Sequence, residues 1–245
     1  MPSWNIHTAH VECLLAEEGA DALGIRDVDA FLLGNLAPDI YVGYMVPNAT
    51  TRIDYKLTHL TLRNHIPVPR CDEFWDFYCV NPKGYGASEV TDLVRGAWCH
   101  LVCDHVYNAH TRAWLQRIGV KPGEEARIGK QADFADFGRT LDISLVPEVT
   151  DAVLGQCEAF PQYRIAGEDA RAAAKVAAGI VEQNRVNHIE GAPKDRLLTA
   201  EFFETARAEA HMTMVEGLRR LACAPLLISG RRMVARMVRA VKLKR

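Results

Sequence analysis

The sequence contains no unbroken apolar run near the ~18 residues that a membrane-spanning helix needs. It also has no Cys-x-x-C pair. Its cysteines, Cys13, Cys71, Cys79, Cys99, Cys103, Cys157 and Cys223, are odd in number and scattered. That pattern reads as reduced thiols in a cytosolic protein, not as a disulfide framework. The start, Met1-Pro2-Ser3-Trp4, has no basic n-region and no apolar h-region, so no secretory signal is expected. Gly-x-Ser-x-Gly, the Walker loop and Gly-x-Gly-x-x-Gly are all missing, which speaks against serine hydrolases and nucleotide-binding loops. Alternating strand-like runs are scarce, and no internal repeat is visible.

What is present is an ordinary globular balance, with 49% hydrophobic and 24% charged residues over 245 positions. A core of useful size is feasible without staples. The net charge is −2, but Arg231 to Arg245 holds seven basic residues and no acidic one. The remainder then has 22 basic against 31 acidic residues, about −9. An acidic body of this kind is not expected to bind nucleic acid.

Helical periodicity dominates. Helices are expected over Ala9–Glu18, Val28–Leu36, Cys71–Val80, Glu124–Leu141, Pro147–Phe160, Glu168–Val186 and Thr199–Ala222. A long helix is expected from about Ser88 to Ile118, capped by Ser88. Pro38 is expected to stop the second helix, Pro147 suits a first helical position, and Thr199 suits an N-cap. A last helix, Arg231–Lys244, would place Met233, Val234, Met237, Val238 and Val241 opposite Arg231, Arg232, Arg236, Arg239 and Lys242. Such a stripe suits either packing on the body or peripheral contact with an anionic membrane. The chain is therefore read as all-α, with a helical body over residues 1–225 and a basic amphipathic helix over 226–245.

Six of the nine histidines, His7, His59, His65, His100, His105 and His110, surround a set of acidic motifs. In Gly96-Ala97-Trp98-Cys99-His100-Leu101-Val102-Cys103-Asp104, an imidazole and a carboxylate are four residues apart. On a helix they share one face, one turn apart, as chelation of a zinc-like ion requires. The same spacing also suits a plain His–Asp pair on a solvated face. Gly34-Asn35-Leu36-Ala37-Pro38-Asp39 presents Asp39 in a rigid turn, and Thr58-His59 follows a loop.

Taken in order, Met1-Pro2-Ser3-Trp4-x-x-His7, Leu33-Gly34-x-x-Ala37-Pro38-Asp39-Ile40, Thr58-His59 and His100-x-x-x-Asp104 resemble the zinc-dependent phospholipase C family, whose wider relatives include fungal single-strand nucleases. The resemblance covers roughly residues 1–145. It implies a multi-helix bundle of the phospholipase C/nuclease type with two or three zinc ions. Asp39, His59, His100 and Asp104 would hold one ion, and Asp104 with His7 a second. His110 and Asp133 would be further ligands, with Asp136 another candidate. On an unbroken helix, however, His110 lies about 120° around from Asp104, and His105 and Asn108 are the nearby alternatives. The implied activity is hydrolysis of a phosphoric ester by metal-activated water, with Asp39 as the proton acceptor or water holder. A phospholipid or a small phosphoester would be the substrate. A nuclease of the same fold, and a non-catalytic metal-stabilised binding protein, are the alternatives.

Overall fold

The computed structural model describes residues 2–62, 64–86 and 89–242, with side chains described as far as residue 223. Among the described residues there are ten α-helices and no strand. They are α1 (Trp4–Glu18), α2 (Val28–Gly34), α3 (Ala37–Ile40), α4 (Tyr55–Thr58), α5 (Cys71–Phe74), α6 (Asp92–Arg117), α7 (Glu124–Gly138), α8 (Asp151–Glu158), α9 (Gly167–Val186) and α10 (Ala200–Lys242). A π-helical stretch, Trp75–Val80, continues α5, and a 3-10 turn, Pro82–Tyr85, follows it. None of the described helices is long and apolar enough to cross a membrane.

Helix α6 is the axis of the molecule. It packs against α1, α2, α3, α5, α8 and α10, and its buried residues, from Leu93 to Leu115, fall on every side. A helix apolar nearly all round is a core helix. The tightest approach is to α2. A Cβ on Gly96 would meet the Phe31 carbonyl oxygen at 2.0 Å, and one on Gly34 would meet the Leu93 carbonyl oxygen at 2.2 Å. Two facing glycines thus let the backbones of α2 and α6 touch.

Several helix ends differ from the sequence-based expectation. Thr91 caps α6, its hydroxyl accepting from Val94 N at 3.3 Å; the expected cap, Ser88, lies outside the described residues. Pro38 does more than end α2, because it sits in the first turn of α3, where its missing N–H costs nothing. The expected helix at Pro147 starts only at Asp151, capped by Thr150. Residues before it are non-helical and are tied to distant carboxylates. Glu12 accepts from Leu145 N at 2.5 Å, and Asp29 from Glu148 N at 2.8 Å. Thr199 does cap α10, accepting from Phe202 N at 3.3 Å. The backbone of α10 then runs unbroken to Lys242, so no separate helix starts at Arg231. The side chains of the amphipathic stripe lie outside the described residues.

Candidate metal centre

Five of the expected ligands meet in the core. His7 comes from the second turn of α1, Asp39 from α3, His59 from the C-cap of α4, and His100 and Asp104 from successive turns of α6. All five are buried, none more than 3% exposed. The short helices are fixed from the far end of the chain. Tyr163 donates its hydroxyl to the Ala37 carbonyl at 3.0 Å, and Gln162 donates to the Leu57 carbonyl at 2.7 Å. Leu60, just after His59, adopts a left-handed φ of 48°. Thr61 N then reaches back to the Lys56 carbonyl at 3.0 Å, closing α4 in the manner usually left to glycine.

Hydrogen bonds outside the cluster decide which atoms face into it. His100 Nδ1 lies 2.8 Å from the Asn35 carbonyl oxygen. That oxygen can only accept, so Nδ1 carries the hydrogen and Nε2 a lone pair. This contact depends on the close glycine approach of α2 to α6. His59 Nδ1 lies 2.7 Å from Thr58 Oγ1. When the threonine hydroxyl donates to the Tyr55 carbonyl, 3.3 Å away, it accepts from His59 Nδ1, and that tautomer leaves the second Nε2 as a lone pair. The two Nε2 atoms are 3.2 Å apart. In the neutral tautomers that place a lone pair on both Nε2 atoms, the two face each other with no hydrogen between them, an arrangement that a cation would satisfy.

The carboxylates add to the same point. His59 Nε2 is 3.6 Å from Asp39 Oδ1 and 3.5 Å from Asp104 Oδ2. His100 Nε2 is 3.9 Å and 4.0 Å from Asp39 Oδ2 and Asp104 Oδ2. These separations are long for hydrogen bonds. They suit donors that surround a common ion, since bonds of ~2.0–2.1 Å set tetrahedral edges of roughly 3.3–3.4 Å. Asp104 also faces the other way, with Oδ1 3.5 Å from His7 Nε2. The His7 ring stacks on His100 with centroids 3.9 Å apart. Three donors can therefore gather in two sets, Asp39–His59–His100 and His7–His100–Asp104. His100 has one free nitrogen and can serve only one ion.

Electrostatics point the same way. Burial lowers the His7 imidazole to about 4, helped by His100, and burial holds His59 well below its usual value. Burial also raises the Asp39 carboxyl to about 6. Burial acts upward on Asp104 as well, but the nearby His7, His100 and His59 outweigh it and hold that carboxyl well below the usual range. The cluster therefore gathers two carboxyl groups beside the His7 and His59 imidazoles, whose burial disfavours their charged forms. Among the described residues, no lysine or arginine forms an ion pair with Asp39 or Asp104; their charged contacts are the histidines. Both nitrogens of His7, Asp39 Oδ1 and Asp104 Oδ1 have no hydrogen-bond partner. Buried polar atoms without partners are costly, and cations held in the two donor sets would satisfy Asp39 Oδ1, Asp104 Oδ1 and His7 Nε2. The residues fit a metal ion in donor type, spacing and charge.

Three partners of the cluster are not among the residues singled out in the sequence as ligands. Tyr55 donates its hydroxyl to Asp104 Oδ2 at 2.9 Å and stacks on His59 at 3.7 Å. The Trp4 indole donates to Asp39 Oδ2 at 3.0 Å. Asn35 supplies the carbonyl that orients His100. The spacing of four between Tyr55 and His59 was the one local signal for the first.

The remaining candidates lie elsewhere. Helix α6 is unbroken, and His110 points to Glu209 on α10 at 2.7 Å. His105 Nδ1 lies 2.7 Å from the Pro69 carbonyl oxygen, and Asn108 donates to the Pro67 carbonyl at 2.9 Å. Asp133 accepts from the backbone N–H groups of Arg196, Leu197 and Leu198 at 3.0, 2.7 and 2.8 Å. Asp136 pairs with Arg139 and Arg196. Comparison with known proteins found no matching family model, no similar curated protein and no similar solved structure.

Proposed function

We propose that the protein is a metal-dependent phosphoric-ester hydrolase of the phospholipase C type, acting on a phospholipid or a small phosphoester with zinc in the buried cluster. The observation that carries this reading is the pair of buried imidazole Nε2 atoms, 3.2 Å apart, with the Asp39 and Asp104 carboxylates beside them. Asp39, His59, His100 and Asp104 would hold one ion, and Asp104 Oδ1 with His7 a second. Such ions, when bound, lower the pKa of water and neutralise charge developing on a phosphoryl oxygen.

The chain's own groups divide the remaining work. Asp39 is the proposed proton acceptor. Trp4 engages its Oδ2, which leaves Oδ1 without a hydrogen-bond partner. Tyr55 positions Asp104, and Asn35 and Thr58 fix the two histidine tautomers. The acidic body favours a small or lipid phosphoester over nucleic acid, and the basic tail would supply any peripheral membrane contact.

A second reading is a closed, non-catalytic metal site. It is favoured by burial: five donors at 3% exposure or less resemble a structural site, since a catalytic one keeps a position open. Zinc-repleted protein assayed on a panel of phosphodiesters and phosphomonoesters separates the two. The hydrolase reading predicts turnover that falls by about 100-fold or more in Asp39→Asn. Bound zinc without turnover on any ester would leave the closed site.

A further inference from the structure

Away from the buried cluster, α1 and α10 bring a second set of donors together. Cys13 and Glu17 are one turn apart on α1, and His211 faces them from α10. Cys13 Sγ donates to Glu17 Oε1 at 3.1 Å, and His211 Nε2 lies 3.2 Å from Glu17 Oε2. The donor atoms of all three residues lie within 4.8 Å of one another. We propose that Cys13, Glu17 and His211 form a second metal site, at the surface, which takes one zinc ion and clips α10 onto α1.

The donor set selects the ion. A thiolate with an imidazole suits zinc, whereas magnesium and calcium prefer all-oxygen sites. Zinc bonds of ~2.3 Å to sulfur and ~2.0 Å to oxygen or nitrogen set tetrahedral edges of roughly 3.3–3.5 Å. Cys13 Sγ and His211 Nε2 sit against different oxygens of Glu17, at 3.1 and 3.2 Å, so both carboxylate oxygens face an ion placed among the three, whose donor atoms lie within 4.8 Å of one another. Two of the ligands are already fixed by their i,i+4 placement on one helix, and the packing of α1 against α10 supplies the third. Little ordering is left to do on binding. Cys13 and His211 are partly exposed and Glu17 is exposed, so an ion can enter directly from solvent. Without an ion, these contacts amount to a thiol hydrogen bond and a surface ion pair, each of small worth.

One residue opposes the site. Arg207 Nη2 lies 3.9 Å from Cys13 Sγ, and its charge repels a cation there. Replacing it should tighten binding. The site is independent of the buried cluster, whose donors include no sulfur.

That difference provides the test. Cobalt(II) bound to a thiolate gives a near-ultraviolet charge-transfer band that histidine and carboxylate ligands do not give. Titration of the tag-free, full-length chain with cobalt(II) should produce this band, saturating at one equivalent for the surface site and displaced by zinc. Cys13→Ser should abolish it. His211→Gln and Glu17→Gln should weaken binding at least ~10-fold, and Arg207→Gln should strengthen it. Should Cys13→Ser fail to fold, His211→Gln alone decides the matter. No band in the unaltered chain, a band that survives Cys13→Ser, or undiminished affinity in His211→Gln would overturn the proposal.

Discussion

His100 and His110 stand on the same helix, yet the first faces a cluster of unsatisfied donors and the second is paired with Glu209 at 2.7 Å. The same contrast separates Asp39 from Asp133. Asp39 keeps one oxygen without a partner, whereas both Asp133 oxygens accept backbone N–H groups. Residue type and burial do not distinguish the two aspartates, since Asp133 is 2% exposed and Asp39 3%. What distinguishes them is whether their hydrogen-bonding capacity is already spent. A metal ligand is a buried group whose remaining capacity points at other such groups, and a structural one is satisfied where it stands.

Perturbing each side of this comparison should give different responses. The largest effect is expected at Gly96, where an added methyl would press on the Phe31 carbonyl. Gly96→Ala should cost about 3 kcal/mol or more, read as a denaturation midpoint. It should also weaken metal binding, because the α2–α6 contact that orients His100 is forced apart. Asp133→Asn should cost about 2 kcal/mol while leaving the metal content unchanged. His110→Gln should change stability by less than ~1 kcal/mol, again without loss of metal. If either of these last two variants lost an ion, the division between spent and unspent donors would be wrong.

A separate effect, outside the metal centre, is a pH dependence of the metal-free protein. Burial lowers the His10 imidazole from 6.5 to about 3, and its ring nitrogen lies 3.2 Å from the Tyr107 hydroxyl. Between those two values the unfolded chain binds the proton and the folded one does not. Stability should therefore fall as pH drops below about 6.5, by at most ~1.4 kcal/mol per pH unit from this group. Denaturant midpoints of chelated protein at about pH 7.5 and about pH 5 measure it. His10→Gln should reduce the difference, with His7 and His59, which burial also lowers, contributing the rest, and an unchanged slope in that variant would contradict the assignment to His10.

Much of the helical framework was legible because it is local. The long apolar pattern through Trp98 and Val106, the alanine-rich run before Val186 and the cap at Thr199 all appear in the structure. The expected helix start at Pro147 was misplaced because Glu12 and Asp29, far away in sequence, tie down the preceding non-helical backbone. No local pattern encodes that. The pairing of His100 with Asp104 followed from helical spacing, whereas adding His7, Asp39 and His59 to it was implied only by the resemblance to the phospholipase C family. The roles of the Trp4 indole and the Asn35 carbonyl were not, since each depends on packing between distant helices. The Cys13–Glu17–His211 triad was hidden for the same reason, with its third member on α10.

The central claim is that the buried cluster holds metal, and elemental analysis addresses it most directly. The chain should be untagged, zinc-repleted and carry Cys13→Ser, so that the surface triad contributes nothing. One or two zinc ions per chain are expected, with at least one lost when Asp104→Ala is added. Absence of bound zinc, or a content unchanged by Asp104→Ala, would contradict the account.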